Sequence, residues 1–396
     1  MLDRMEPVLL VATLLTGQSP TGVETHFNQL IAEARAAGID ARLVSAQHDK
    51  DLRRKVASLV NRLLKRVAPE HALRFMREAD ALHLERKLTR AAAALADRAI
   101  VVSAQDPLSA RSALRVRVRQ PMRIVMTAHF NISEAQEMLV KGLTTKGGLL
   151  WRHTMQIEKT TLPCLDHLIF VSEFMQACVL ERRPELRERS RSVINNFCAQ
   201  PEPQSQATVV ERDLIAIGTL EPRKNQAFLL DVLAICRQHG RRFTLTIVGD
   251  GPDRQALVRR TSNLGLGDQV TFLGNQPHAA QLLPRHRVLV HSALVENMPL
   301  VLAEALAAGR PALVGAVGGI PEIVRHEVEG LHWPLDDPER AAEQLIGLLE
   351  SPAAWSRMSR AARQRHEECF APRILVPKWL NAIMAGHDDI RTEAKA

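Results

Sequence analysis

The chain has 396 residues, 46% of them hydrophobic and only 4% aromatic, with no Tyr and a formal net charge of +8. That length divides naturally into two domains, no apolar run is long enough to span a membrane, and so few aromatics disfavour a base-stacking nucleic-acid platform. Five scattered cysteines without a C-x-x-C pair argue against a disulfide framework or a zinc site and fit a reducing cytoplasm.

In chain order, residues 8–14 read as a first buried strand. The preceding Met-Leu-Asp-Arg-Met-Glu-Pro lacks the positive flank and cleavage site of a signal peptide. A Gly/Pro turn from Thr16 to Glu24 leads into an amphipathic helix at about 26–37, closed by Gly38, and then a strand at 41–45. Strand, glycine turn, helix, strand is the opening of a doubly wound parallel sheet. Residues 51–98 are charged and helical in period, and short strands follow at 99–103, 123–128 and 167–171. Ser172 suits the cap of a helix at 173–180, and 192–195 reads as a last short strand.

The charge is uneven. Residues 1–200 hold 30 Lys+Arg against 21 Asp+Glu, whereas residues 201–396 hold 22 against 23. The excess concentrates at 51–123, with 17 basic and 7 acidic residues. Such a surface suits an anionic partner, such as phospholipid headgroups, a lipid phosphate or nucleic acid; an Arg-rich solvated helix face reads the same way.

The polar, proline-bearing stretch 198–212 is the candidate linker. It leaves residues 1–197 and 213–371 as the two domains and 372–396 as a terminal helix and tail. The second half repeats the plan of the first: strand 214–218, turn 219–225, helix 226–238 and strand 243–248. Strand-like runs recur at 269–273, 287–291 and 311–315, and helices at 356–368 and 373–384. Two such units joined by a hinge create a cleft, and ligands bind beyond the carboxyl ends of the strands.

Several strand-end loops carry residues with chemistry. Thr21-Gly22-Val23-Glu24 lets backbone approach a ligand. His129 ends a strand. Thr219-Leu-Glu-Pro-Arg223-Lys224-Asn225 places two cations directly after a strand, where they can neutralise charge on a departing phosphate. Gly249-Asp-Gly251-Pro lacks the third glycine of a nicotinamide fingerprint and reads as a turn. Gly318-Gly319-Ile-Pro-Glu322 again lets backbone approach a ligand. Finally, Glu296-Asn-Met-Pro-Leu-Val-Leu-Ala-Glu304 reads as a loop entering a short helix, with Pro299 at its first position and Gly309 and Pro311 as its stop. That helix is apolar nearly all round, so the lone Glu304 needs a partner. A diphosphate on the helix N–H groups with a ribose diol on Glu304 fits; so does a core helix whose Glu pairs with an Arg. There is no Walker A sequence, G-x-S-x-G, H-E-x-x-H or metal-holding D-x-D pair.

Together these residues resemble the family 4 glycosyltransferases, retaining enzymes of the GT-B fold, in which two doubly wound Rossmann-like domains face a central cleft. The matches are Glu296-x7-Glu304 with Ala305-Leu-Ala-Ala-Gly309-Arg-Pro311, Gly318-Gly319-Ile-Pro-Glu322, Val248-Gly-Asp-Gly-Pro252 and Lys224; Gly22, His129, Ser172 and Val193-Ile-Asn-Asn196 add to them. The resemblance covers about residues 8–385 and is denser in the second half.

It implies that Glu304 holds the donor ribose and Glu296 the hydroxyls of the transferred sugar. Lys224 and the Leu300 and Val301 amides would bind the diphosphate, with Gly318 and Gly319 beside it. Gly22 would contribute from the first domain, and His129 would touch the sugar near its reacting carbon. Thr219 stands where many members carry a phosphate-clamping Arg, with Arg223 a candidate substitute. The implied activity is metal-independent, retaining hexosyl transfer from a nucleotide-diphosphate sugar, with no cofactor. The acceptor would be a lipid-linked saccharide in cell-surface polysaccharide synthesis, met at the inner face of a membrane by a cytoplasmic, peripheral enzyme. The alternatives are a soluble sugar or polyol phosphate as acceptor, or an inactive GT-B binding protein; nucleic acid is not an expected partner.

Overall fold

The computed structural model describes residues 7–16, 21–46, 61, 64–95, 97–199 and 210–386. The chain forms two compact units, one of Met1–Asn195 with Val376–Ala396 and the other of Asn196–Leu375. The expected helical stretch at 51–60 and most of the expected linker, 200–209, lie outside the described residues.

The first unit runs β1 (Val8–Thr13), α1 (Gly22–Ala36), β2 (Asp40–Ser45), α2 (Pro69–Ala93), β3 (Ile100–Ala104), α3 (Pro107–Arg117) and β4 (Arg123–Ala128). It continues with α4 (Glu134–Val140), α5 (Leu149–Thr161), β5 (His167–Phe170), α6 (Glu173–Arg182) and β6 (Arg191–Val193). Its strands pair in the order β2-β1-β3-β4-β5-β6, all parallel. Helices on both faces bury such a sheet, so its strands need continuous apolar runs rather than alternation. Val-Leu-Leu-Val-Ala-Thr of β1 meets that need, with every residue buried.

The sequence expectation lacks α3, α4 and α5 of this unit and misplaces the start of α1. Helix α1 begins at Gly22, four residues ahead of the expected 26, because Thr21 caps it: Thr21 Oγ1 accepts from the Glu24 amide at 3.3 Å. Gly22 is therefore the first helical residue, not part of the turn. Helix α3 has no apolar stripe to announce it. Its buried face includes Ser109, Ala110, Ser112 and Ala113, and the Ser112 hydroxyl donates to the Ala81 carbonyl at 3.0 Å.

The second unit runs β7 (Arg212–Ile217), α7 (Gln226–Gln238), β8 (Leu245–Val248), α8 (Arg254–Asn263), β9 (Val270–Gly274), β10 (His286–His291) and α9 (Leu300–Ala307). Then come β11 (Ala312–Val314), α10 (Ile320–Ile323), β12 (Gly330–His332), α11 (Pro338–Glu350), α12 (Pro352–Cys369) and α13 (Pro372–Met384); α13 belongs to the first unit from Val376 onward. The sheet order is β12-β11-β10-β7-β8-β9, again all parallel. Leu230, Leu233 and Val232 of α7 and Leu345 of α11 bury against Leu245 and Val288 of the sheet, and Phe228 meets Trp333 edge-on at 5.3 Å. The chain winds from β7 outward through β8 to β9, then returns to lay β10, β11 and β12 on the other side. The carboxyl ends of β7 and β10 thus flank a topological switch point, where open α/β sheets place their ligands.

Candidate active site

The loop after β7 is fixed before it reaches its cations. Past the end of the strand the backbone still follows its neighbour: the Gly218 amide donates to Val248 O at 2.9 Å, and Leu220 to Asp250 O at 3.0 Å. This approach is close enough to require glycine. A Cβ on Gly249 would stand 2.0 Å from Gly218 O, and one on Gly251 2.2 Å from Leu220 O. Gly249-Asp-Gly251 is therefore a turn, as its sequence indicates, and its role is to seat the β7 loop.

Beyond it, Pro222–Lys224 form a single tight turn, and Asn225, left-handed at φ 52°, starts α7. The loop after β10 holds this turn in place. Buried Ser292 lies 2.9 Å from both Lys224 O and Asn225 O, to which its hydroxyl donates, and the Leu294 amide donates to Arg223 O at 2.8 Å. The Gln226 side chain donates to Thr219 O at 2.9 Å.

That scaffold brings Arg223, Lys224 and Glu296 together. The Lys224 ammonium pairs with Glu296 Oε1, Arg223 reaches the same oxygen at 3.3 Å, and Arg223 also binds Glu221 at 2.6 Å. His291, the last residue of β10, places Nε2 3.8 Å from Glu296 Oε1. Burial pushes Glu296 up, but the charges of Lys224 and Arg223 outweigh it and leave the carboxyl below its ordinary value. Burial lowers His291 to about 4, with Lys224 adding to the effect, so its imidazole is neutral at pH 7.

Helix α9 starts one residue later than the sequence suggests. Pro299 is its cap, extended at φ −69° and ψ 117°, and Leu300 and Val301 are the first two helical residues. Their amides precede the first intrahelical bond, from Leu302 to Pro299 O at 3.1 Å, and so face outward from the helix start. One turn on, Glu304 is half-buried, and burial pushes its carboxyl up to about 7. No Arg pairs with it among the described residues, which removes the paired-core-helix reading of this segment. Thr219 is exposed, at the end of β7. Gly318, at φ +57°, and Gly319, which caps α10, follow β11, the next strand along from β10.

Gly22 and His129 lie in the first unit, after β1 and β4, which β3 separates. The Gln105 amide nitrogen donates to Ser103 O and Oγ, so Gln105 Oε1 accepts from His129 Nε2 at 3.0 Å. Burial lowers His129 to about 4. Its neutral ring therefore keeps Nδ1 as an acceptor. His26 meets it edge-on at 5.7 Å and lies 4.7 Å from Trp379. Ser292, His291 and Gln105 are missing from the sequence reading; the signal for the first two was the apolar run Val288 to Val290 followed directly by two polar residues.

A family model described as "Glycosyltransferase Family 4" matches residues 20–198, and one described as "Glycosyl transferases group 1" matches 202–365. The chain belongs to the family 4 glycosyltransferases. N-acetyl-alpha-D-glucosaminyl L-malate synthase of Bacillus anthracis is 34% identical to the chain over 135 residues, 34% of the chain and 35% of that protein. The GDP-mannose-dependent alpha-(1-6)-phosphatidylinositol monomannoside mannosyltransferase of Mycobacterium tuberculosis is 30% identical over 198 residues, 46% of the chain and 49% of that protein. The chain thus spans half or less of the length of these curated relatives. Anabaena Alr3699/HepE, solved in complex with UDP, superposes with a TM-score of 0.66 over 96% of the chain and 100% of its own, at 17% identity. The fold of the chain is GT-B.

Proposed function

We propose that the chain transfers a hexose from a nucleotide-diphosphate sugar to an acceptor hydroxyl with retention at the anomeric carbon. The observation that carries this reading is the convergence, at one switch point, of two cations on Glu296 beside the open start of α9. The diphosphate binds Lys224, Arg223 and the Leu300 and Val301 amides, with Thr219, Gly318 and Gly319 lining the approach. Glu304 takes the ribose diol as a carboxylate, and Glu296 takes the sugar hydroxyls. The family resemblance assigns Gly22 and His129, in the first unit, to the donor sugar.

Glu296 is held by Lys224 and Arg223, which makes it a poor nucleophile, so a front-face reaction is favoured. The anomeric C–O bond to the diphosphate breaks, the acceptor oxygen bonds to the same carbon face, and the leaving phosphate oxygen takes the acceptor proton. Lys224 and the helix amides stabilise the departing charge without a metal ion.

For the acceptor we favour a lipid-linked saccharide at an anionic membrane surface. Phe75 and Leu82 stand 39% and 44% exposed on the charged helix α2, and Val118 is 87% exposed between Arg117 and Arg119. No described helix is long and apolar enough to cross a membrane. A panel of UDP- and GDP-sugars tested for thermal stabilisation and hydrolysis identifies the donor; a chain that responds to none of them refutes the reading. Binding to anionic vesicles that salt abolishes supports the membrane acceptor, and turnover on a soluble sugar phosphate without vesicle binding overturns it.

A further inference from the structure

The three groups around Glu296 all approach one oxygen. Lys224, Arg223 at 3.3 Å and His291 at 3.8 Å converge on Oε1, and on the proposed reading Lys224 and Arg223 also bind the incoming diphosphate. A phosphate that draws them off leaves Oε1 of a nearly buried carboxylate without its hydrogen bonds, and an unmet buried charge is expensive. His291 is a third potential donor close to that oxygen. It is 6% exposed, and neither ring nitrogen has a hydrogen-bond partner. A neutral imidazole carries one N–H, and a shift of about 1 Å brings Nε2 to hydrogen-bonding distance of Oε1.

We infer that His291 is a positioning residue: it takes over Glu296 Oε1 when the diphosphate claims Lys224 and Arg223, so that Oε2 stays aimed at the sugar hydroxyls. The inference rests on the proposed reading of this site as the donor site. It gives a reason for an imidazole at the end of β10 that the ligand-free ion pairs do not use. The charged groups facing the ring are Lys224 and Arg223 from the β7 loop and Glu296 from the β10 loop.

The test compares His291→Leu with His291→Gln, whose side-chain amide places a donor near the position of Nε2. Affinity for UDP and GDP is measured by calorimetry, and kcat and KM with whichever of UDP-glucose and GDP-mannose the wild type turns over. His291→Leu is expected to lose about ten- to a hundredfold in kcat/KM, the worth of one hydrogen bond to a charged group. It should keep nucleoside diphosphate affinity within about twofold, and His291→Gln should recover most of the loss. In 15N spectra of the wild type, saturation with the nucleotide should bring out a slowly exchanging imidazole N–H. Equal losses of nucleotide affinity and turnover in His291→Leu, or no loss at all, overturn the inference and leave the donor-site reading standing. A wild-type chain that binds neither nucleotide and turns over neither sugar overturns the reading and the inference with it.

Discussion

Lys224 and Glu296 form an ion pair across two adjacent strand ends, Lys224 after β7 and Glu296 after β10. Each is the other's partner, so on the proposed reading a diphosphate competes with Glu296 for the ammonium. The pairing balances the charges of the site, which limits repulsion among Arg223, Lys224 and the helix dipole.

Lys224→Ala should lower turnover by about 10²–10³-fold, the ~2.7–4 kcal/mol of one lost donor to developing charge. The variant should also unfold earlier, by roughly 1–3 kcal/mol, because Glu296 keeps Arg223 but loses its nearest cation. Steady-state kinetics and thermal unfolding on the same preparation check both. A variant that transfers sugar at the wild-type rate would remove Lys224 from the mechanism.

Glu304 gives a pH signature of unusual sign. Its folded carboxyl titrates at about 7 against 4.5 ordinarily, so between those values the folded chain holds a proton that the unfolded chain has lost. Stability therefore falls as pH rises through that window and is level above it. Glu304→Gln should be the more stable protein above pH 7, by at most ~3 kcal/mol, and indistinguishable from wild type near pH 4. Nucleotide affinity should behave oppositely. In wild type it rises with pH up to about 7, as the carboxylate becomes available to the ribose; in Glu304→Gln it is weaker and flat. Calorimetric titrations on either side of pH 7 decide the point.

Ser292→Ala removes the hydroxyl that holds Lys224 O and Asn225 O. A loss of ~1–2 kcal/mol in stability is expected from the abandoned carbonyls, with a drop in kcat/KM as the Lys224 turn loosens. Equal melting and equal turnover would show that the Leu294 amide alone suffices to hold the turn.

Gly249→Ala forces a methyl carbon to 2.0 Å from Gly218 O at a φ of 130°. No flexible side chain is there to yield, so the variant should lose more than ~3 kcal/mol or fail to fold. The same change at Gly347, on α11 with open space around its Cβ position, should be neutral or stabilising and serves as the control.

His129 predicts a flat limb. Held near 4 by burial, it stays neutral from pH 5 to 8, so the pH–rate profile should carry no inflection from it in that range. His129→Asn with an unchanged profile but reduced kcat fits a neutral acceptor; a lost inflection near pH 6–7 would contradict it.

The parallel sheets were legible because they are buried on both faces. Runs such as Val8 to Thr13 and Val288 to Val290 leave no other reading, and the Gly/Pro punctuation fixes the crossovers. In the second unit Glu304 stood out for a related reason: it is the one charge on a helix otherwise apolar all round. Other parts were hidden. The buried face of α3 includes Ser and Ala, which no hydrophobic period detects, and α4 is only 7 residues long. The start of α1 depends on a cap whose following turn buries Glu24 and His26, so polarity there suggested a loop. Ser292 acts through a contact made across a chain separation of 68 residues, which no local pattern encodes.

Trp379 has an order-of-synthesis consequence. It is fully buried in the first unit, donates to Asn195 O at 3.0 Å and stacks near His26, while Arg123 donates to Ile383 O at 3.3 Å. Residues through Asn195 leave the ribosome first, yet the indole that completes their fold is made only after the whole of the second unit. A nascent chain therefore exposes the seat of Trp379 throughout translation of residues 196–375. The half that begins folding first is the half that finishes last.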